Sequence, residues 1–384
     1  MRFKDVPFGS FYAEPVRNGL TRPTAVRGEG YRMVNMGELF AYDHIADQPM
    51  ERVQLNHREL QVATLLSGDL LFARSSLTPE GVGKCSIVAS LPEVTTFESH
   101  LIRARLDRGR ADSRFYFYFF HSYYGRAAVQ SIAKQVGAAG LPGSKLAGLL
   151  VPAPEAPEQT RIADTLSAYD GLIENNRRRI KLLEDSVRLL FDEWFVRLRF
   201  PGCQRAAGLN DMQSGWQRLP LDQVLFLQRG FDLPIQDREE GSVPIYGASG
   251  INGFHNIAKV PGPGIVTGRA GSLGVVHFVP GDFWPLNTSL WVKELRRASP
   301  RFAVHLLRSM NLARYGQGAT MPMLDRKVVH QVEVLLPPAD LMARFESFAV
   351  DVYDQIGTLQ RQIHQLSTAR DLLLPRLMSG ELTV

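Results

Sequence analysis

Cysteine is almost missing from this chain. Cys85 and Cys203 are the two among 384 residues, and they stand far apart with no metal-ligand spacing. That excludes a disulfide framework and a cysteine-held zinc, and it sets the expectation of a reduced, cytoplasmic protein. No run of about 18 apolar residues occurs, so no membrane span is expected. The N-terminal stretch MRFKDVPFGSFYAEP has no apolar core of signal-peptide length. Charge of one sign is lacking too. The 44 Lys and Arg against 39 Asp and Glu leave a net charge of +5, a mild basicity that fits a nucleic-acid partner without demanding one. Catalytic signatures are missing as well. There is no Asn-Pro-Pro-aromatic tetrapeptide, no Gly-x-x-x-x-Gly-Lys-Ser/Thr phosphate loop and no Glu-x-Lys to complete a nuclease carboxylate cluster. Arg27-Gly28-Glu29-Gly30 lacks the third glycine of a dinucleotide site, and the nine histidines show no metal-ligand spacing. No catalytic residue and no metal site is therefore assigned.

What is present is a long patterned stretch, Glu158–Arg199. Ile162, Leu166, Tyr169, Ile173, Asn176, Ile180, Leu183, Val187, Leu190 and Trp194 recur in alternating steps of four and three. That is a heptad seam, broken in chemistry only at Asn176, where a buried polar residue would fix register. Arg177, Arg178, Arg179, Lys181, Glu184, Asp185 and Arg188 flank it. The chain supplies a second seam: Phe345, Ala349, Val352, Ile356, Leu359, Ile363, Leu366, Arg370 and Leu373. Neither helix can bury its stripe alone, so the two are expected to pair as an intramolecular antiparallel coiled coil. A helix of 35–40 residues would span roughly 50–60 Å at about 1.5 Å per residue.

The rest reads as two α/β (α+β) segments. The expected boundaries are 1–155 for a first globular domain and 156–200 for a first spacer helix. A second globular domain takes 201–336, and a second spacer helix with a tail takes 337–384. Arg114–Ala128, RFYFYFFHSYYGRAA, is predicted to be a buried helix because it is too long for a strand. Pro152, Pro154 and Pro157 form a stiff hinge, and Pro157 can occupy the first helical turn. Pro201-Gly202 should stop the first helix, with Cys203–Gln213 as a polar linker. Pro375 should end or kink the second helix. Tyr246–His255 reads as a polar, flexible loop.

The halves repeat. Gly68–Arg74 resembles Gly262–Arg269, and Glu98-Ser99-His100-Leu101 resembles Asn287-Thr288-Ser289-Leu290. Arg114-Phe115 and His121-Ser122 match Arg301-Phe302 and Arg308-Ser309. Leu141-Pro142 matches Met321-Pro322, and Tyr169-Asp170 matches Tyr353-Asp354. Their common order, at offsets of roughly 184–189 residues through most of the second part of each half, makes the chain two copies of one unit. Two unlike readers on one stiff spacer would suit a bipartite, asymmetric DNA target, with half-site centres roughly 15 base pairs apart.

Several motifs stand out: Leu189-Leu190-Phe191-Asp192-Glu193-Trp194-Phe195-Val196-Arg197 running into Phe200-Pro201-Gly202, and the terminal Leu372-Leu373-Leu374-Pro375-Arg376-Leu377-Met378-Ser379-Gly380-Glu381-Leu382. To these the second half adds Arg229-Gly230-Phe231-Asp232-Leu233-Pro234, Pro244-Ile245-Tyr246-Gly247-Ala248-Ser249-Gly250 and Gly268-Arg269-Ala270-Gly271-Ser272-Leu273-Gly274. Together they resemble the specificity subunit of type I restriction–modification enzymes. The resemblance implies two target-recognition domains and shared helices that dock two methyltransferase subunits, with motor-nuclease subunits where the system has them. It places S-adenosylmethionine, ATP and magnesium in those partners and none in this chain. The first half departs from the pattern, since Arg74-Ser75-Ser76 lacks the glycines that flank Arg269 in Gly268-Arg269-Ala270-Gly271.

For DNA contact the candidates are Arg74, Lys84, Arg229, Asn252, His255, Arg269 and Ser272. Arginine beside glycine can approach a phosphate or guanine, and Asn or His can reach base edges. A tight turn with a surface arginine explains the same glycines. The expected function is a non-catalytic DNA-reading subunit. The rivals are a single-chain DNA hydrolase with scattered carboxylates and a helical adaptor that ignores DNA.

Overall fold

The computed structural model describes residues 3–23, 26–76, 78–136, 140–201, 215–318 and 322–384. It divides into two units, Met1–Asn176 with Gln362–Val384, and Arg177–Arg361. The expected linker Cys203–Gln213 and the stop at Gly202 lie outside the described residues. Among those described, no helix is long and apolar enough to cross a membrane.

In the first unit, β1 (Asp5–Pro7) pairs antiparallel with β10 (Leu150–Pro152). Between them come β2 (Arg17–Asn18), β3 (Arg27–Val34), α1 (Met36–Ala41), β4 (His44–Ile45), β5 (Glu51–Val53), α2 (His57–Ala63), β6 (Leu70–Ala73), β7 (Cys85–Val88), β8 (Thr95–Phe97), β9 (Leu101–Ala104), α3 (Ser113–His121), α4 (Tyr123–Val136) and α5 (Gly143–Ala147). The sheets run β2-β9-β6-β7-β4 and β5-β3-β8. Strand β6 reads Leu-Leu-Phe-Ala and is buried on both faces. Alternate side chains leave a strand on opposite sides, so an all-apolar strand serves two cores. Leu70 and Phe72 pack with Ile102 and the aromatics of α3, and Leu71 and Ala73 with Val34, Phe97 and Leu101.

The aromatic run is helical, as its length predicts, but it breaks in two. Asp112 caps α3 by accepting from the Arg114 N–H at 2.9 Å. Ser122 ends it, donating from Oγ to the Phe119 carbonyl at 2.7 Å. Six consecutive aromatics, Phe115–Phe120, are buried. The chain then enters the first long helix, α6 (Ala156–Phe191). Ile162, Ala163 and Leu166 join this core, with Leu377 and Met378 from the end of the second long helix. Asn176 is 7% exposed and donates from Nδ2 to Gln362 Oε1 at 3.2 Å. Arg370 Nη1 donates to Asp170 Oδ1 at 2.5 Å. Numbering that falls on one helix rises on the other, so the segments are antiparallel here, with the polar seam residue paired.

The second unit begins within α6. After Phe191 the helix widens into a π-type turn, Asp192–Val196, closed by the Arg197 N–H on the Asp192 carbonyl. There follow β11 (Gln217–Pro220), α7 (Leu221–Val224), β12 (Leu225–Arg229), β13 (Val243–Gly247), β14 (Gly250–His255), β15 (Gly264–Gly268), β16 (Val276–Val279), β17 (Trp284–Pro285), β18 (Ser289–Leu295), α8 (Pro300–Ser309), β19 (Gly316–Gln317), β20 (Met323–Leu324), α9 (Arg326–His330), β21 (Glu333–Leu336) and α10 (Ala339–Met378). Val187, Phe191 and Phe195 of the first helix share one core with Phe345, Ala349, Val352 and Ile356 of the second.

The repeat holds through both main sheets, with β4 an added edge strand of the first unit and β19-β20 an added pair of the second. The order β12-β18-β15-β16 reproduces β2-β9-β6-β7, and β14-β13-β17 reproduces β5-β3-β8, with the parallel pair in the same place. Hydrogen bonds set the correspondence and correct three sequence matches. Leu141 donates to the Arg74 carbonyl as Leu324 donates to that of Arg269. Leu141-Pro142 therefore corresponds to Leu324-Asp325, while Met321 lies outside the described residues. Glu98 donates to the Val34 carbonyl as Leu286 does to that of Tyr246, so Glu98 answers to Leu286 and the match to Asn287 is one residue out. The Asp112 N–H meets Gln159 as the Ser299 N–H meets Met342, which aligns Tyr169-Asp170 with Val352-Tyr353.

Two further expectations change. Tyr246–His255 is a hairpin rather than a flexible loop: β13 and β14 pair antiparallel, with Tyr246 opposite Ile251. Pro375 sits inside α10, which continues to Met378. Pro375 lacks only the N–H that would reach back one turn, and its carbonyl accepts from Ser379. The helix ends at Gly380, at φ +73°.

Candidate nucleic-acid interface

In each unit the C-terminal ends of the first strand and of the central strand flank the N-terminal end of a third. Three loops converge there. A glycine makes this possible. Gly230 follows β12, donates to the Ser289 carbonyl at 3.1 Å and is followed by Phe231, which donates to the Pro285 carbonyl at 2.8 Å. A Cβ at Gly230 would lie 2.1 Å from the Leu286 carbonyl oxygen and 2.5 Å from that of Pro285. In the first unit Gly19 donates to the Leu101 carbonyl at 3.3 Å, Leu20 donates to that of Phe97 at 2.8 Å, and a Cβ at Gly19 would lie 2.1 Å from the Phe97 oxygen. The same backbone contact is built twice. Replacing Gly230 by alanine is expected to cost about 1–3 kcal/mol, because carbonyl groups cannot swing aside as a side chain tip can. A urea midpoint equal to that of the parent protein would contradict this.

Arginine follows the central strand in both units. Arg269 donates its N–H to the Thr288 carbonyl at 2.9 Å, and Arg74 to the His100 carbonyl at 2.8 Å. Arg269 Nη1 reaches the Asn287 carbonyl at 3.2 Å. Among the described residues the Arg74 side chain makes no hydrogen bond or ion pair, and His100 Nδ1 lies 3.1 Å from Ser75 Oγ. Gly268 is required by the loop itself, since its Cβ would lie 1.9 Å from the Ser272 carbonyl oxygen and 2.8 Å from that of Ala248. Gly271, at φ +84°, shapes the turn. The tight-turn reading of the glycines thus holds at Gly268, and Arg269 keeps a guanidinium at the loop end as well.

This end carries guanidinium, hydroxyl, amide and carboxylate groups. No group of three or more His, Cys, Asp or Glu is gathered to hold a metal among the described residues. The arrangement can bind and discriminate a polar, anionic ligand.

The family described as "Type I restriction modification DNA specificity domain" matches residues 61–185. The chain is similar to the type I restriction enzyme MjaIX specificity subunit of Methanocaldococcus jannaschii, at 26% identity over 64% of this chain and 63% of that protein. It is also similar to the putative MjaX specificity subunit of the same organism, at 20% identity over 97% of this chain and 92% of that one. The fold is that of the crystal structure of the type I restriction–modification S subunit from M. genitalium, with a TM-score of 0.60 and 17% identity over 98% of this chain and 96% of that chain. Residues 61–185 thus match a type I restriction–modification DNA specificity domain, and the chain is similar along most of its length to a type I specificity subunit.

The structure places the sequence candidates unevenly. Arg74, Arg229, Arg269 and Ser272 stand at the loop ends, with Arg229 52% exposed and 3.9 Å from Asp232. Lys84 is engaged elsewhere: Nζ donates to the Phe40 carbonyl at 2.7 Å and lies 3.6 Å from Asp43. Asp43 itself is held near 2, chiefly by a hydrogen bond from His121 and further by the charges of His121 and Lys84. Asn252 accepts from Arg238 Nη1 through its carbonyl at 2.7 Å and its Oδ1 at 3.2 Å. His255 is 5% exposed; its Nδ1 accepts from the Glu239 N–H at 3.1 Å and its ring meets Trp284 edge-on. Burial removes His255 from any reading surface.

The seam candidates line the helices. Ile162, Leu166, Ile173, Val187, Val352, Ile356 and Leu359 are buried, and Tyr169, Ile180, Leu183, Leu190, Trp194, Ile363, Leu366 and Leu373 are half-buried. The loop ends also carry Gly19, Asn18, Thr21, Ser99, His100, Asp232, Asn287 and Thr288, which were not among the sequence candidates. A usable signal existed in the repeated Gly-apolar-x-x-Pro of Gly19–Pro23 and Gly230–Pro234.

Proposed function

We propose that this chain acts as a specificity subunit that reads double-stranded DNA at two places, one at the loop end of each unit, and so recognises a bipartite, asymmetric site. One observation carries the reading. The same backbone frame is built twice, around Gly19 and Gly230 and around Arg74 and Arg269, while the side chains it presents differ. A shared arginine suits a shared element, the phosphate, and unlike neighbours suit unlike bases. The relatives' names support it, since they are specificity subunits of type I restriction enzymes.

The chain carries no catalytic machinery in this reading and works by positioning. Two methyltransferase subunits dock on the repeated helix-bearing surfaces, bring S-adenosylmethionine and methylate adenine. Motor-nuclease subunits, where the system has them, bring ATP and magnesium. The test is co-expression with the system's own methyltransferase, followed by single-molecule sequencing of modified adenines. A motif split by a fixed unread gap is the expected result. A continuous motif, or a complex that forms and modifies nothing, overturns it. Metal-dependent cleavage by the chain alone would favour the hydrolase reading instead.

A further inference from the structure

The two loop ends differ at one pair of positions that a side-chain hydrogen bond joins in the second unit. In the second unit these are Asp232 and Asn287, and the corresponding residues of the first unit are Thr21 and Ser99, both uncharged. Asp232 is 72% exposed on its side chain and lies 3.9 Å from the Arg229 guanidinium. Its Oδ1 accepts from Asn287 Nδ2, while the Asn287 carbonyl accepts from Arg269 Nη1 at 3.2 Å. Asn287 therefore ties the carboxylate to the arginine that follows the central strand. Among the described residues, Asp232 Oδ2 and Asn287 Oδ1 have no hydrogen-bond partner. Two oxygen acceptors are thus presented side by side, fixed through one amide.

A carboxylate on a surface that meets DNA is costly beside phosphate. It is favourable opposite an exocyclic amino group, where it accepts a hydrogen bond: cytosine N4 or adenine N6 in the major groove. Arg229 and Arg269 keep the local charge positive overall, so the carboxylate does not repel the duplex as a whole. Its penalty falls on base pairs that present an acceptor or a methyl group at that point. We propose that Asp232, held by Asn287, is a specificity-determining residue of the second half-site, selecting adenine or cytosine over thymine or guanine as the base whose major-groove edge faces it. This rests on the loop ends being the DNA-reading surface.

The experiment uses the full chain in complex with its methyltransferase. Binding is measured at fixed salt to duplexes in which each base pair of the second half-site is varied in turn. Asp232→Ala is expected to lose discrimination at one or two adjacent base pairs by about ten- to a hundredfold, while discrimination across the first half-site stays as in the parent. Asp232→Asn, which keeps size and adds a donor, should shift the preferred base there instead of abolishing preference. Arg269→Ala should weaken all duplexes alike and reduce the salt dependence. A uniform loss with Asp232→Ala, or unchanged discrimination, overturns the role of Asp232 while leaving the bipartite reading intact. A parent complex with no sequence preference overturns both.

Discussion

Phe345→Ala is expected to cost about 3–5 kcal/mol, the range for emptying a fully buried aromatic site. Phe345 has no exposed surface. Its ring centroid lies 5.7 Å from Phe191, 5.3 Å from Phe195 and 5.8 Å from His305. It thus joins both long helices to α8 within the second unit. Backbones of three helices hold the rim, so the void cannot close by local collapse. Against a typical domain stability of about 5–15 kcal/mol, the loss is a large fraction of what the unit has. Hydrogen exchange of the full chain locates it: protection of β15 and β18 should drop, while β6 and β9 of the first unit keep theirs. Equal loss in both units, or a loss under about 1 kcal/mol, would contradict the placement of this core. In the functional reading, recognition of the second half-site would weaken with it.

The seams were legible because a helix that packs along its length repeats its apolar positions over five heptads, and little else produces that rhythm. The repeat was legible as an order of matched fragments, and several matches were one residue or more out. Residue identity is a poor guide to register in strands and loops, where the backbone bonds of Arg74 with Leu141 and of Arg269 with Leu324 decide it. Gly250 and Gly253 disguised β14, since both carry positive φ inside a paired strand. His255 was misplaced for a related reason. Polarity suggested exposure, but one backbone N–H from Glu239 satisfies Nδ1 and lets the ring be buried.

At the loop ends, Arg269 stood out through its glycine neighbours. Asp232 did not, because a lone carboxylate carries no periodic signal, and its meaning comes from Asn287, 55 residues away. Gly19 and Gly230 mattered through carbonyls on another strand, a constraint that no local pattern encodes.

The equivalence of the units also separates their responses to acid. At one corresponding position the first unit has Tyr118, whose hydroxyl donates to Asp170 Oδ2 at 2.6 Å, and the second has His305, 3.3 Å from the Tyr353 hydroxyl. His305 is 2% exposed. Burial, and then the positive charges of Arg308 and Arg188, push its pKa from 6.5 down to about 3. The unfolded chain binds this proton near 6.5 and the folded chain only near 3, so in between the unfolded state holds more protons. Stability is then complete above about pH 6.5, falls as pH drops below it, and stops falling near 3. At pH 4.5 the loss from His305 alone is about 2–3 kcal/mol, from roughly 1.4 kcal/mol per pH unit. His277 and His330, also shifted down by burial, add in the same direction. Unfolding of the full chain at pH 7 and 4.5 tests this. His305→Gln, which cannot take the proton, should reduce the difference by about that amount, and an unchanged difference would mean that His305 is not protonated on unfolding in this range. In the bipartite reading, mild acid should weaken the second half-site more than the first, because burial lowers the pKa of three histidines of the second unit, His277, His305 and His330, against His44 in the first.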